Sequence, residues 1–117
     1  MATILIVDDE PDIRFLIRLI LETAGHKVVE ARHGAAGLKS VKTEPPDLVV
    51  TDVMMPTMDG LEFIERLRGD PGTAAIPILV VSGNSDLATA ANVRLRKPFL
   101  AEELLSAAAV LIREDGS

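Results

Sequence analysis

The sequence predicts an α/β domain with a doubly wound sheet of five parallel strands and helices on both faces. Short apolar runs alternate with helical apolar patterns along the chain, and repeated strand–helix units favour right-handed crossovers between parallel strands. The runs Ile4–Val7 and Leu48–Val50 contain only apolar residues, which is typical of strands buried on both faces. With 117 residues, 48% of them hydrophobic, we expect a single domain spanning residues 1–117.

Five strands and four longer helices follow from these patterns. The predicted strands are Thr3–Val7, Lys27–Ala31, Asp47–Thr51, Ile76–Ser82 and Val93–Arg96. The predicted helices are Pro11–Ala24, Gly34–Thr43, Gly60–Arg68 and Leu100–Arg113, and the polar residues 114–117 are expected to fray. Apolar side chains recur at three- and four-residue spacing in the first, third and last helices. Pro11 suits a first helical turn, and Gly25 suits a helix C-terminus.

The connection between the last two strands is unusually short. Only ten residues separate Ser82 from Val93. A crossover between parallel strands normally takes at least about 10 to 12 residues, including its helix. At most two helical turns fit, so helix four of the doubly wound pattern should be stunted.

The composition excludes several classes of function. The chain has no cysteine, which excludes disulfides, thiol catalysis and zinc–thiolate sites, and which fits a reducing compartment. A formal net charge of −6 argues against direct nucleic-acid binding, because phosphate backbones require a basic surface. No apolar run approaches the roughly 20 residues of a membrane span. We therefore expect a cytoplasmic domain that binds neither nucleic acid nor membrane.

Carboxylates follow two of the predicted strands. Asp8 and Asp9 end the first strand, and Asp52 ends the third. In the flavodoxin-like strand order 2-1-3-4-5, these strands flank the point where the order reverses, and ligands bind beyond that point. Carboxylates held together repel each other and need a cation, and octahedral oxygen coordination suits magnesium, with manganese as an alternative. The sequence therefore predicts a divalent metal site at Asp8, Asp9 and Asp52.

A hydroxyl and an ammonium group follow the remaining strands. Ser82 ends the fourth strand and Lys97 follows the fifth, so both are expected at the same edge of the sheet. With two carboxylates on the metal, a third can attack phosphorus as a nucleophile and form an acyl phosphate. Ser82 and Lys97 can neutralise phosphoryl oxygens. Together these groups predict a site for phosphoryl transfer.

Three segments carry a resemblance to a known family: Ile6–Pro11, Asp52–Gly60 and Lys97–Phe99. They resemble the receiver domain of two-component response regulators, and the Asp-x-x-Met-Pro-x-Met-Asp-Gly stretch is highly diagnostic. The resemblance spans the whole chain. It implies a signalling module switched by phosphorylation. Such a module is not a turnover enzyme, because it catalyses only its own phosphorylation and slow dephosphorylation.

The resemblance also implies roles for single acidic residues. Asp52 resembles the phosphoacceptor that takes a phosphoryl group from a histidine kinase or a histidine phosphotransfer protein. Asp9 resembles a direct metal ligand, together with Asp52 and the backbone carbonyl of Met54. Asp8 resembles a ligand that acts largely through water.

Further implications concern the later strands. Ser82 resembles the switch hydroxyl, Lys97 resembles the phosphate-binding lysine, and the bond between Lys97 and Pro98 is typically cis in this family. Two features depart from the family pattern. The connection from Ser82 to Lys97 is shorter than usual, and Arg94 stands where an aromatic residue is usual. Both departures lie where many members dimerise or bind partners. The sequence therefore predicts how the phosphoryl group is received better than it predicts how the signal is passed to a partner.

Arginines and histidines outside the predicted site have simpler interpretations. Arg94 and Arg96 alternate along the fifth strand and would share one face. Exposed arginines that cover a gap left by the short helix are the favoured interpretation, and contact with an acidic partner is the alternative. The sequence predicts no functional role for His26 or His33.

Two alternative functions stay open. One is a pseudo-receiver, a protein-interaction module whose switching is impaired by the short connection and Arg94. The other is a hydrolase or phosphotransferase with an aspartyl-phosphate intermediate, which is disfavoured because Met54 stands where such enzymes carry a second acid. The sequence identifies neither the kinase nor the output partner. It also leaves open whether the chain is a stand-alone regulator, a phosphate shuttle or a piece of a longer protein.

Overall fold

A computed structural model of the protein describes residues 2–52, 60–83 and 91–116, with side chains as far as Ile112 in the last helix. The strands are β1 Thr3–Val7, β2 Lys27–Ala31, β3 Leu48–Thr51, β4 Ile78–Ser82 and β5 Val93–Arg96. The helices are α1 Pro11–Thr23, α2 Gly34–Thr43, α3 Gly60–Gly69 and α4 Ala101–Gly116. Neighbouring strands are parallel in the order β2-β1-β3-β4-β5. The predicted flavodoxin-like fold class is confirmed.

Helices cover both faces of the sheet, because successive strand residues point to opposite sides. Helices α2 and α3 pack on one face, and α1 and α4 pack on the other. The buried residues of the first face include Leu5, Val7, Val49, Ile78 and Val80, with Val41 from α2 and Phe63, Ile64 and Leu67 from α3. Those of the second face include Ile4, Ile6, Leu48, Val50, Leu79 and Val81, with Ile17, Leu21, Leu104, Ala108 and Leu111. The central strands β1, β3 and β4 are therefore buried on both faces, and their polar neighbours lie at the strand ends.

Strand β4 begins two residues later than the predicted start at Ile76. Pro77 has no backbone N–H for the ladder, although its carbonyl accepts a hydrogen bond from the Val49 amide at 3.0 Å. The Ile76 amide donates to the Thr73 carbonyl at 3.1 Å, which holds this residue in the preceding turn. The ladder therefore starts at Ile78.

Strand β3 begins at Leu48, one residue later than predicted. Asp47 forms a local contact with Thr3 at the start of β1. The Asp47 amide donates to the Thr3 carbonyl at 2.7 Å, and the Asp47 carboxylate accepts from the Thr3 amide at 2.8 Å. A side chain thus supplies one of the two bonds that would otherwise come from the backbone of β3.

Helix α4 begins at Ala101 and continues to Gly116, so its backbone remains helical through residues 114–116, where fraying was expected. Ala108 and Leu111 are buried, as their spacing predicts. The stunted helix predicted between Ser82 and Val93 falls largely on residues 84–90, which lie outside the described residues. No helix in the described part of the chain is long and apolar enough to cross a membrane.

Close packing of α2 against the sheet depends on Gly37. A Cβ atom at this position would lie 3.0 Å from Val7 Cγ2 and 3.1 Å from the Phe63 ring. Val7 is the last residue of β1, so this contact fixes the strand directly before its acidic end. The glycine lets the helix backbone approach the strand.

Three predicted loop residues have structural roles at helix ends and at the N-terminus. Gly25 follows α1 with a φ of +92°, as its predicted position at the helix end requires. His33 caps α2, because its Nδ1 accepts a hydrogen bond from the Ala36 amide at 3.1 Å. His26 Nδ1 accepts from the Ala2 amide at 3.3 Å, and burial followed by the N-terminal ammonium group lowers the pKa of His26.

Candidate metal and phosphoryl site

The carboxyl ends of the central strands bring two buried carboxylates and one ammonium group together. Asp8 is 2% exposed and Asp52 is 6% exposed. The Lys97 ammonium lies between them, 3.2 Å from Asp8 Oδ2 and 3.0 Å from Asp52 Oδ2. Three residues that are far apart in sequence therefore meet in one crevice, as expected where strand order reverses.

The register of β1 and β3 explains why Asp8 and Asp52 are neighbours. Val7 pairs with Thr51 at the end of the parallel ladder, so the next residue of each strand continues side by side. The Asp52 amide donates to the Val7 carbonyl at 3.0 Å. The buried Thr51 hydroxyl donates to the Asp52 carbonyl at 2.8 Å, which fixes the backbone of Asp52 on its other side.

Two further acids complete the group. Carboxylate oxygens of Asp8, Asp9, Glu10 and Asp52 all lie within 4.8 Å of one another. Asp9 and Glu10 are exposed, whereas Asp8 and Asp52 are buried. Glu10 is not among the sequence-predicted site residues, although its carboxylate lies 3.5 Å from the Lys97 ammonium. Its position directly after Asp8 and Asp9 is the one sequence signal that could have included it.

Burial is the largest single influence on the pKa values of Asp8 and Lys97. Burial raises the pKa of Asp8, and the Asp52 charge raises it further, against the opposing effects of the Glu10 amide and Lys97. Burial lowers the pKa of Lys97, but its hydrogen bond to Asp52 and the charges of Asp8 and Asp52 outweigh this effect, so the net pKa of Lys97 is raised. The lysine therefore stays charged, while Asp8 ionises at a cost.

Ser82 and Lys97 are joined through the backbone. Ser82 is buried at the carboxyl end of β4, and its carbonyl accepts a hydrogen bond from the Lys97 amide at 3.1 Å. The bond between Lys97 and Pro98 is cis, as the family resemblance implied. Arg94 is exposed on β5 and pairs in register with Val80. Met54, whose carbonyl the resemblance assigns to the metal, lies outside the described residues.

The donor set fits a hard divalent cation. All candidate ligands are carboxylate oxygens, which Mg²⁺ prefers over nitrogen or sulfur donors. One lysine faces two buried carboxylates, so additional positive charge would offset both their burial and their mutual repulsion, which together raise the Asp8 pKa. The residues present therefore suit magnesium, with oxygen ligands on one side and open solvent at Asp9 on the other.

Comparison with known proteins decides the family. Residues 4–109 match the response regulator receiver domain. The chain belongs to this family. Receiver domains are signalling phosphoacceptors of two-component systems and typically bind Mg²⁺ through an acidic pocket, and this chain has a cluster of acidic residues at Asp8, Asp9, Glu10 and Asp52.

Named relatives and solved structures agree with this assignment. The chain is 37% identical over 120 residues to the DNA-binding dual master transcriptional regulator RpaA of Synechocystis, an alignment that covers 97% of this chain and 50% of that protein. The chemotaxis response regulator CheY4 of Vibrio cholerae is similar with a TM-score of 0.86 at 30% identity, covering 95% of this chain and 98% of the other. Response regulator TrrA of Thermotoga maritima, solved in complex with Mg²⁺-BeF, has a TM-score of 0.86 at 33% identity, covering 95% and 99%.

The similarity concerns the receiver domain alone. The chain spans about half the length of several curated relatives that it matches, including RpaA and the phosphate regulon protein PhoB of Pseudomonas aeruginosa. What those longer proteins do with their remaining sequence is a property of each of them. For this chain, the family assignment covers the receiver fold and its role as a signalling domain.

Proposed function

We propose that this domain accepts a phosphoryl group on Asp52, with magnesium, from a histidine kinase or a histidine phosphotransfer protein. The observation that carries the proposal is the partly buried Lys97 ammonium within 3.2 Å of the buried carboxylates of both Asp8 and Asp52. A buried pair of carboxylates with a raised Asp8 pKa is costly to a fold, and its retention beside a lysine favours a role in binding and chemistry.

The chemistry follows from the groups in the crevice. An Asp52 carboxylate oxygen attacks the phosphorus of a phosphohistidine, a P–O bond forms, and the P–N bond breaks with its electron pair kept by the imidazole. The product is an acyl phosphate on Asp52. Positioning and charge neutralisation supply most of the acceleration in such transfers, so the protein's part is to place the Asp52 carboxylate, the metal ligands and the Lys97 ammonium together.

Asp8, Asp9 and Asp52 are the residues that would hold the metal, and the Met54 carbonyl stays a predicted fourth ligand. When bound, magnesium supplies positive charge that neutralises phosphoryl oxygens. Glu10 lies in the same acidic group and is exposed, which suits a contact through water. Lys97 compensates Asp8 and Asp52 before phosphorylation, and it would contact the phosphoryl group afterwards.

Ser82 provides the proposed link from phosphorylation to output. Its backbone carbonyl is tied to the Lys97 amide at the ends of β4 and β5. New charge on Asp52 adds strong hydrogen-bond acceptors close to these two residues, and it favours a conformation in which both turn towards the phosphoryl group. An output protein or domain that binds this conformation would read the signal.

Exposed apolar side chains favour a protein as the phosphoryl donor. Phe15, Leu16 and Leu19 on α1 are 61%, 46% and 46% exposed, and Leu100 is 62% exposed. α1 begins directly after the acids of β1, and Leu100 lies three residues after Lys97. Apolar surface beside a phosphoryl site suits docking of a protein surface.

The test is labelling with acetyl phosphate, a small donor that requires no cognate kinase. We expect acid-labile phosphate on the wild-type protein in the presence of magnesium, loss of label with a chelator, and loss of label in Asp52→Asn. Asp12→Asn, an exposed acid in the first turn of α1, is the matched control and should label like wild type. A wild-type protein that takes no label would favour the pseudo-receiver, and many rapid turnovers of a phosphate ester would favour a hydrolase.

A further inference from the structure

Arg14 links the acidic end of β1 to the edge strand β2. Its Nη1 donates to the backbone carbonyl of Asp8 at 2.6 Å, and its Nε donates to Glu30 Oε1 at 3.0 Å. The Arg14 side chain is 17% exposed and Glu30 is 27% exposed, so both hydrogen bonds are partly shielded from water. One guanidinium group therefore spans from a fixed strand to the turn that carries the acids.

This contact completes the fixation of Asp8. Its amide donates to the Ala31 carbonyl on β2 at 3.2 Å, and its Oδ1 accepts from the Glu10 amide at 2.9 Å. Its Oδ2 accepts from Lys97, and its carbonyl accepts from Arg14. Each of the four polar atoms of Asp8 thus has a partner. Arg14 alone, among the described residues, holds the carbonyl and so sets the direction of the peptide between Asp8 and Asp9.

Asp9 depends on that peptide for its position. Its carboxylate is exposed and makes no hydrogen bond to another described residue, yet it lies within 4.8 Å of the Asp8 and Asp52 oxygens. Rotation of the peptide before it would turn the Asp9 backbone and move the carboxylate out of the group. A hydrogen bond to the preceding carbonyl opposes this rotation.

We propose that Arg14, anchored by Glu30, is a positioning residue for the metal site: it holds the Asp8 carbonyl and thereby aims the Asp9 carboxylate at the ion. This inference rests on the proposed function, because it concerns the same metal. An arginine suits the task, since its planar guanidinium presents several donors in a fixed arrangement and can serve two acceptors at once. Partners that orient ligands in this way affect metal affinity by about 10- to 100-fold.

The sign of the effect separates positioning from simple charge. Arg14 is a cation near an acidic cluster, so removing it would strengthen magnesium binding if Coulomb repulsion were its only influence. Loss of positioning would weaken magnesium binding instead. The two accounts therefore predict opposite changes for Arg14→Ala.

Arg18 offers a matched control on the same helix. Its Nη1 donates to the other Glu30 oxygen, Oε2, at 2.7 Å, and its Nε donates to Glu22 at 3.1 Å. The Arg18 side chain is 43% exposed, and within the described part of the chain it donates to these two glutamates. Arg18→Ala removes one cation and one ion pair of Glu30, but it leaves the bond from Arg14 to Asp8 in place.

The experiment measures the magnesium dissociation constant of the unphosphorylated protein by titration calorimetry, with folding checked by circular dichroism. We expect Arg14→Ala to weaken binding by about tenfold. Arg18→Ala should stay within about twofold of wild type, because exposed ion pairs couple weakly. In a double-mutant cycle, Glu30→Gln should weaken binding in the wild-type background and have little further effect in Arg14→Ala.

Several outcomes would overturn the inference. Unchanged or tighter magnesium binding in Arg14→Ala contradicts positioning, and so does equal weakening in Arg14→Ala and Arg18→Ala. Should Arg14→Ala not fold, Arg14→Lys gives the same comparison, because the ammonium group keeps the charge but lacks the fixed pair of nitrogens with which Arg14 reaches Glu30 and the Asp8 carbonyl. Wild-type affinity in this variant contradicts the inference. A wild-type protein that binds no magnesium overturns the proposed function itself, whereas normal wild-type binding with an unaffected Arg14→Ala overturns the inference alone.

Discussion

Polar side chains meet at both ends of the sheet, but the charges of their hydrogen-bond partners differ between the two ends. At the carboxyl end, one Lys97 ammonium faces the buried carboxylates of Asp8 and Asp52. At the amino end, Arg68 donates to the neutral Ala74 and Ile76 carbonyls at 2.8 and 2.7 Å.

The amino end is closed by a side-chain amide. Arg68 also donates to Asn92 Oδ1 at 2.8 Å, and the same oxygen accepts from the Ile78 amide at 2.8 Å. The backbone amide of Asn92 donates a hydrogen bond to the Ile78 carbonyl at 2.9 Å. This cluster joins the end of α3 to the starts of β4 and β5, and the Ala74, Ile76 and Asn92 oxygens within it are neutral acceptors.

The contrast indicates that the amino end of the sheet contributes to stability, whereas the carboxyl end is suited to binding. Burial lowers the Arg68 pKa and raises the Asp8 pKa, because both charged groups lose contact with water in the folded chain. The Ala74, Ile76 and Asn92 oxygens that accept from Arg68 are neutral and do not repel each other. Around Asp8 the neighbours include a second carboxylate, and the cluster gains from an additional cation. Such unmatched charge is typical of functional sites.

The largest effect is expected at the amino end. Arg68→Ala should lower the free energy of unfolding by about 2 to 3 kcal/mol, because three charge-assisted hydrogen bonds are lost together. Arg66→Ala, two residues earlier on α3, is the control. Arg66 is exposed and pairs with Glu62 one turn away, so its loss should cost under about 0.5 kcal/mol. Urea denaturation measures both, and equal losses would contradict the distinction.

Magnesium should stabilise the carboxyl end selectively. At about ten times its dissociation constant, the ion should raise the free energy of unfolding by about 1.4 kcal/mol, because it binds the folded chain. Thermal unfolding with and without magnesium measures this increment. Arg68→Ala should keep the increment despite its lower stability, whereas Asp8→Asn should lose most of it. An increment lost in Arg68→Ala would mean that the two ends are not independent.

Asp8→Asn should give a smaller, pH-dependent gain in stability when a chelator is present. The folded-state pKa of Asp8 is raised above its ordinary 3.8, so the folded chain binds this proton more tightly than the unfolded chain does. The contribution of Asp8 to stability therefore falls as the pH rises through the window between its unfolded-state pKa and its higher folded-state pKa. The variant should be more stable than wild type at neutral pH, and the gain should shrink below the window. A gain that grows on acidification would contradict the sign.

The sequence predicts the fold and the acidic crevice because their signals are local. The apolar strand runs end in Asp8, Asp9 and Asp52, and strand order alone brings these ends together. Contacts between distant side chains carry no such local pattern. Nothing in the spacing of Arg14 and Glu30, or of Arg68 and Asn92, indicates that these residues meet.

Small boundary errors have equally specific causes. The start of β4 moved because the Ile76 amide bonds to the Thr73 carbonyl in a turn, a detail that apolar patterning does not report. The predicted site does not include Glu10, whose place before Pro11 is also typical of a helix start. Its membership of the acidic group depends on how the turn after Asp8 folds back towards Lys97.

The proposed function requires that the carboxyl end of the sheet responds to a phosphoryl group at Asp52 while the amino end stays fixed. Beryllofluoride bonds to a carboxylate oxygen and mimics a phosphoryl group, so amide NMR shifts can be followed on adding it with magnesium. We expect the largest shifts at Asp9, Asp52, Ser82 and Lys97, and little change at Ile78 and Asn92. No shift at Asp52, or the largest shifts at the amino end, would contradict the account.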